Sequence, residues 1–217
     1  TSLSYEWNGH RIHVAIGGAF NVSNSLAAVV TATELGVPID DVISGLGRLD
    51  AIPGRFETVT WPTGVDGGFS VIVDYAHTPD GLTEVIAAAR AVVDESASVI
   101  VVFGCGGDRD QGKRAGMGAA AAAGADRVIV TSDNPRSEAP MQIIGDVVAG
   151  VSSNYRDRVT LNPDRRQAIG EALDVAQSGD IVVIAGKGHE KTQDLGDSVV
   201  EFDDRAVAQS FMESSSR

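Results

Sequence analysis

Residues 133–136, Asp-Asn-Pro-Arg, place a carboxylate, an amide, a rigid imino acid and a guanidinium at four consecutive positions. Such a set can hold a ligand carrying both signs of charge, with proline restricting the backbone between them. Three more segments have similar chemistry: residues 74–80 (DYAHTPD), 104–114 (GCGGDRDQGKR) and 186–190 (GKGHE). Across the four, Arg109, Lys113, Arg114, Arg136 and Lys187 are cationic, and Asp74, Asp108, Asp110, Asp133 and Glu190 are acidic. A pure phosphate site needs few carboxylates. An amino-acid site needs guanidinium forks for carboxylates and acidic groups for ammonium, so mixed signs favour a zwitterionic ligand beside a nucleotide. Solvated loops neutralised by their own salt bridges are the plainer reading of any one residue taken alone.

Other chemistries fit less well. Gly107, Gly112 and Lys113 match the start of a phosphate-binding loop, but Arg114 follows where that motif needs Ser or Thr for magnesium. Cys105, the only cysteine, lacks a convincing base and third group, and it excludes an internal disulfide. The four histidines, His10, His13, His77 and His189, are too scattered for a metal site. No catalytic side chain and no metal ligand is assigned on these grounds.

The elements that position the four loops can be read from periodicity. Strand patterns occupy residues 56–61, 69–74, 98–103, 127–131, 158–162 and 180–185, and each loop directly follows one of them. Helical patterns separate most of them, one starting with Thr78 as cap and Pro79 at the first position, another reaching Gly179. Before them, a hairpin turns at Asn8-Gly9, a helix capped near Asn21 or Ser23 stops at Gly36, and a shorter helix follows. Alternating apolar strands and helices predict an α/β fold: a Rossmann-like, mostly parallel sheet with helices on both faces. Such sheets bind ligands outside the carboxyl ends of their strands, where all four loops fall. The tail, residues 212–217, is expected to fray.

At 217 residues and a net charge of −13, the chain can bury a substantial core, and a sequence-independent grip on nucleic acid is disfavoured. No apolar run is long enough to span a bilayer, and the start has no signal-peptide pattern; a cytoplasmic protein, or a fragment of one, is the expectation.

The segments FNVSN, PGRFE, VDYAHTPDGL, GCGGDRDQGKR, SDNPRSE, GKGHE and FDDR occur in the order seen in the Mur ligases. The chain resembles that family from Ile12 to Phe211, and within it the branch that adds meso-diaminopimelate. The resemblance implies an ATP- and Mg2+-dependent amide-forming ligase of peptidoglycan synthesis, acting on UDP-N-acetylmuramoyl-L-alanyl-D-glutamate. It further implies that residues 1–52 are the end of a truncated central ATPase domain and 53–217 the carboxy-terminal domain. The family's phosphate loop and carbamylated lysine are not in these residues, so the chain is expected to be inactive alone.

Carried over by motif, Asn21, Arg55, Asp74 and His77 are expected at ATP, with Asp74 on the ribose. Arg109, Asp133, Asn134, Pro135, Arg136, Gly186 and Glu190 are expected at diaminopimelate, the two arginines holding its distal carboxylate. The sequence departs from the family pattern in KTQ after GKGHE and in AGMG after GDRDQGKR, neither of which removes a named ligand group. Two rivals are a lysine-adding or cyanophycin-synthetase-type ligase, and a stand-alone domain that binds nucleotide or amino acid without catalysis.

Overall fold

Asn8 and Gly9 take φ 48° and 77°, the left-handed pair that a two-residue hairpin demands. They turn β1 (Leu3–Trp7) back onto β2 (His10–Val14). Ile12 and Val14 of β2 pack with Val29 of α1 (Phe20–Glu34) and the inner side of α2 (Ile39–Gly47), forming a small separate core. The start of α1 differs from expectation. Its cap is Ala19, because the Asn21 amide donates back to the Gly17 carbonyl at 2.7 Å while its oxygen accepts from Asn24 at 3.0 Å. Asn21 thus lies inside the first turn and does not cap it.

Past Gly54 the expected alternation appears. It runs β3 (Glu57–Val59), β4 (Ser70–Asp74), α3 (Pro79–Arg90), β5 (Val99–Cys105), α4 (Lys113–Gly124), β6 (Arg127–Ser132) and α5 (Pro140–Val148). It continues through β7 (Val159–Leu161), α6 (Arg165–Val175), β8 (Ile181–Ala185), β9 (Thr192–Asp194), β10 (Val199–Glu201) and α7 (Asp204–Ser215). This computed structural model describes residues 2–49, 51–62 and 68–215.

Six strands form one sheet in the order β3-β4-β8-β5-β6-β7, parallel except where edge strand β3 runs antiparallel to β4. Every residue of β5 and of β8 is buried, as befits central strands covered on both faces. One face packs α3, α4 and α5 around Phe103, Leu82, Met117 and Ile144; the other packs α6 and α7 around Ile100, Ile184 and Ile169. Burying each such side chain fully stabilises the fold by about 1.5–3 kcal/mol.

Thr78 caps α3 as its sequence predicts, its hydroxyl accepting the Gly81 amide at 3.0 Å with Pro79 next in line. Helix α6 stops at Val175, short of Gly179. Asp180 takes the Gln177 amide at 2.9 Å and the Ser98 amide at 2.7 Å, drawing the chain into a turn that Gly179 completes at φ 91°. The tail is more ordered than expected: α7 carries a buried Met212 and reaches Ser215, and residues 216–217 lie outside the described residues. Among the described residues no helix is long and apolar enough to cross a membrane.

Candidate functional site

Strand register aligns the ends from which the loops emerge. Asp74 and Phe103 both lie opposite Ala185, and Cys105 lies opposite Ser132. All four loops therefore leave one edge of the sheet, and two of the clefts that open there hold the expected site residues. The larger, of about 610 Å³, has Asn21, Arg55, Asp74 and His77 on its wall. The smaller, of about 280 Å³, is lined by Arg109, Asp133, Asn134, Arg136, Gly186 and Glu190. Tyr75 and His77 line both clefts, so the two share a wall. Of the residues expected at the site only Pro135 lines neither; it is buried behind its loop.

In the larger cleft Arg55 lies 4.7 Å over the Tyr75 ring, and His77 meets that ring edge-on at 4.6 Å. His77 Nδ1 sits 2.8 Å from the Tyr75 carbonyl, which can only accept, so Nδ1 carries a proton and Nε2 is left for solvent or ligand. Asp74 is less free than a ribose ligand need be. Its two oxygens accept the Phe56 amide at 2.7 Å and the Ala76 amide at 2.8 Å, the former holding Phe56 at φ 46°. Burial pushes its carboxyl up from the usual range, against those amides and the Arg55 charge. Asp74 thus fixes the backbone at Phe56 as well as facing the cleft.

The smaller cleft balances its charges, with Arg109, Lys113 and Arg136 against Asp110, Asp133 and Glu190. Arg109 is exposed and makes no ion pair or side-chain hydrogen bond among the described residues. Arg136 sits at φ 52°, donates Nη1 to the Gly107 carbonyl at 2.8 Å and keeps Nε 3.6 Å from Asp194, leaving Nη2 unengaged. Glu190 Oε2 accepts from Asn134 at 3.0 Å and Lys187 at 3.1 Å. Burial works against its ionisation, but those bonds with the Lys187 and Arg136 charges prevail and hold its carboxyl below the usual range. Its other oxygen has no partner among the described residues. Cationic forks and a partly free carboxylate are thus presented to one small volume, the pattern a zwitterion fits.

The match to known proteins follows this geometry. The family described as Mur ligase, glutamate ligase domain, matches residues 54–188. The chain belongs to the Mur ligase family. It is 47% identical over 198 residues to the UDP-N-acetylmuramoyl-L-alanyl-D-glutamate–2,6-diaminopimelate ligase of Alkaliphilus metalliredigens, covering 91% of this chain and 39% of that protein. The enzyme of that description from Geobacillus kaustophilus is 48% identical over 199 residues, again 91% and 39%. A solved structure of such a ligase superposes with TM-score 0.70 at 38% identity, covering 100% of this chain and 43% of that one. The chain therefore spans about two-fifths of the length of the relatives it matches.

In this Mur ligase chain several residues that hold the clefts open went unassigned by sequence. Lys187 was visible as a loop cation, but its side chain is fully buried, with Nζ 3.1 Å from both Asn134 and Glu190 and 3.5 Å from Asp133. It ties together Asp133, Asn134 and Glu190, three residues that line the smaller cleft. Arg114, also fully buried, grips Glu138 through both Nη atoms at 2.8 Å and Asp146 at 2.9 Å, tying the glycine-rich loop to the segment after Arg136. The short strand β9 gives Gln193, whose amide donates to the Asp133 carbonyl at 2.7 Å, and Asp194, whose amide donates to Asn134 Oδ1 at 3.0 Å. A three-residue strand leaves too short a pattern to read in advance.

Cys105 is buried, its thiol 3.5 Å from the Met117 sulfur, and burial pushes it up to about 12, far from a nucleophile's range. Among the described residues no group of three or more His, Cys, Asp or Glu side chains could hold a metal ion.

Proposed function

We propose that this chain supplies the amino-acid cleft and part of the ATP cleft of a cytoplasmic ligase that adds meso-diaminopimelate to UDP-N-acetylmuramoyl-L-alanyl-D-glutamate. The observation that carries the reading is the pairing of two clefts across one wall, Tyr75–His77. One cleft is ringed by Asn21, Arg55, Asp74 and His77; the other is a charge-balanced pocket with Arg109 and Arg136 available. The identity to diaminopimelate-adding relatives supports the choice of amino acid. Residues 1–52 are read as the end of a central ATPase domain and residues 53–217 as the carboxy-terminal domain.

The reaction is amide formation. ATP phosphorylates the γ-carboxylate of the D-glutamyl residue, giving an acyl phosphate and ADP; the amine of diaminopimelate attacks, and phosphate leaves from the tetrahedral intermediate. The contribution of these residues is positioning, which lowers the entropic part of the barrier. Arg136 and Arg109 take the distal carboxylate, and Glu190 and Asp133 face an ammonium. The shared wall keeps the amine next to the nucleotide cleft. Among the described residues the carboxylates do not form a magnesium site of their own.

The test is ligation by the full-length protein, followed as ADP release with each amino acid. Release that depends on diaminopimelate and on the UDP-dipeptide supports the reading. Equal or better use of lysine overturns the choice of amino acid.

A further inference from the structure

The FDDR segment has no role in the two clefts, yet its second aspartate is fully buried beneath them. Asp204 forms a two-pronged pair with Arg165, Nε to Oδ1 and Nη2 to Oδ2, each at 2.7 Å. Both side chains have no exposed surface. The remaining donors of Arg165 do not go to other side chains. Nη1 donates to the Ser132 carbonyl at 3.2 Å, and Nη2 also donates to the Ala185 carbonyl at 3.0 Å.

Those two carbonyls close β6 and β8. Immediately after Ser132 comes Asp133, and immediately after Ala185 comes Gly186. Strands β6 and β8 are not neighbours; β5 lies between them. One planar guanidinium therefore ties the last carbonyls of two separated strands, a span that a lysine ammonium on a single point cannot match in direction. The position of the clamp has an electrostatic consequence as well. Asp133 and Glu190, two of the three carboxylates lining the amino-acid cleft, both favour the charged form of the buried Arg165.

We infer that Arg165, held by Asp204, is a positioning residue for the amino-acid substrate, setting the distance between the 133–136 loop and the 186–190 loop. The inference rests on the proposed ligase reading of that cleft. It also accounts for the FDDR segment, in which Asp204 holds the clamp while Arg205 pairs with Glu57 at 2.8 Å on the other side of the helix start. A buried ion pair alone is weak evidence of a stabilising role, since apolar pairs of similar volume often replace it without loss. A clamp that aims two loops is a different reason for its presence.

The experiment uses the full-length enzyme and three variants: Arg165→Lys, Asp204→Asn, and the double change Arg165→Met with Asp204→Leu. The double variant removes both charges together, so neither is left buried and unpaired. KM for diaminopimelate is expected to rise about tenfold to hundredfold in the double variant, because a displacement near 1 Å at a substrate-holding loop has effects of that order. KM for ATP should stay within about twofold, since no group of the nucleotide cleft contacts the pair, and Arg165→Lys should fall between wild type and double variant.

A purely structural pair gives a different pattern: fewer active molecules, a lower melting temperature and both KM values unchanged. That pattern overturns the inference, as does wild-type KM in Arg165→Lys. Loss of all folded protein in the three variants makes the pair a folding element and overturns it too. Failure of the wild-type enzyme to use diaminopimelate at all would instead refute the ligase reading, so the two failures are distinguishable.

Discussion

Arg136 Nη1 donates to the Gly107 carbonyl at 2.8 Å, so the guanidinium of one loop is aimed by the backbone of another. The contact is reciprocal, because the Gly107 amide donates to the Asn134 carbonyl at 2.9 Å. The two loops are docked closely enough that glycine is the one residue that fits: a Cβ at position 107 would stand 1.9 Å from the Pro135 carbonyl oxygen. Backbone strain is stored next door, at Asp108 and Arg136, which take φ 53° and 52°. The substrate contact proposed for Arg136 therefore depends on the backbone of the loop that also carries Arg109.

That dependence predicts a selective defect in Gly107→Ala. A methyl group at 1.9 Å from a backbone atom must push the two loops apart, and one of them carries Arg136 while the other carries the Gly107 carbonyl that aims it. KM for diaminopimelate should rise about tenfold or more, with KM for ATP little changed. Gly112→Ala is the control, since its Cβ would meet only the flexible Asp110 carboxylate, at 3.2 Å. Steady-state kinetics on both variants checks this. Equal behaviour of the two would show that the 107–135 contact does not set the cleft.

Glu138 supplies a pH prediction. Hydrogen bonds from Arg114, then the Asp108 amide, hold its carboxyl at about 2 against an ordinary 4.5. A depressed folded value means stability that is present above the unfolded value and lost as pH falls through the folded one. Wild type should therefore melt higher than Glu138→Gln at pH 7, and the gap should close between about pH 4.5 and 2. Melting temperatures across that range measure it. A gap that stays constant down to pH 2 would mean that the charge on Glu138 contributes nothing.

The sequence carried the sheet and the site to different depths. Strands such as Ile181–Ala185 and Val99–Cys105 are continuous apolar runs buried on both faces, and their pattern survives in one dimension. The cleft loops were legible for the same reason: they are polar interruptions directly after those runs. What could not be read is who pairs with whom. Lys187 and Arg165 have the composition of surface residues, and only tertiary contacts reveal that each is fully buried among acceptors. Asn21 misled in the opposite way, since a good capping residue lay one step inside a helix and bonded backwards to Gly17. The division of the chain near Pro53 rests on resemblance; the separate small core around Ile12 and Val29 is compatible with it.

Nucleotide affinity gives a further prediction. The larger cleft offers an aromatic wall, Arg55 and the carboxylate of Asp74, but no glycine-rich loop with a following Ser or Thr for phosphates. The 217-residue chain alone should therefore bind ATP weakly. Calorimetry showing sub-micromolar affinity would contradict a partial site and favour a stand-alone nucleotide-binding domain.

Selectivity for the amino acid is the sharpest prediction. Arg136 keeps Nη2 unengaged at the cleft wall, while its Nη1 is fixed to Gly107 and its Nε lies 3.6 Å from Asp194. On the proposed reading, Arg136→Ala in the full-length enzyme removes a charge-assisted partner of the distal carboxylate of diaminopimelate, a contact of about 1.5–3 kcal/mol. The specificity constant for diaminopimelate should fall about tenfold to hundredfold, and ATP affinity should change far less. Lysine has no such carboxylate and should lose little, without thereby becoming a good substrate. The substitution also removes a side chain that braces the 104–114 loop, so some loss common to both amino acids is expected from loosening alone. The reading of the carboxylate is the excess loss for diaminopimelate over lysine. Parallel kinetics with the two amino acids measures that excess, and equal losses would mean that Arg136 supports its loop without recognising the substrate.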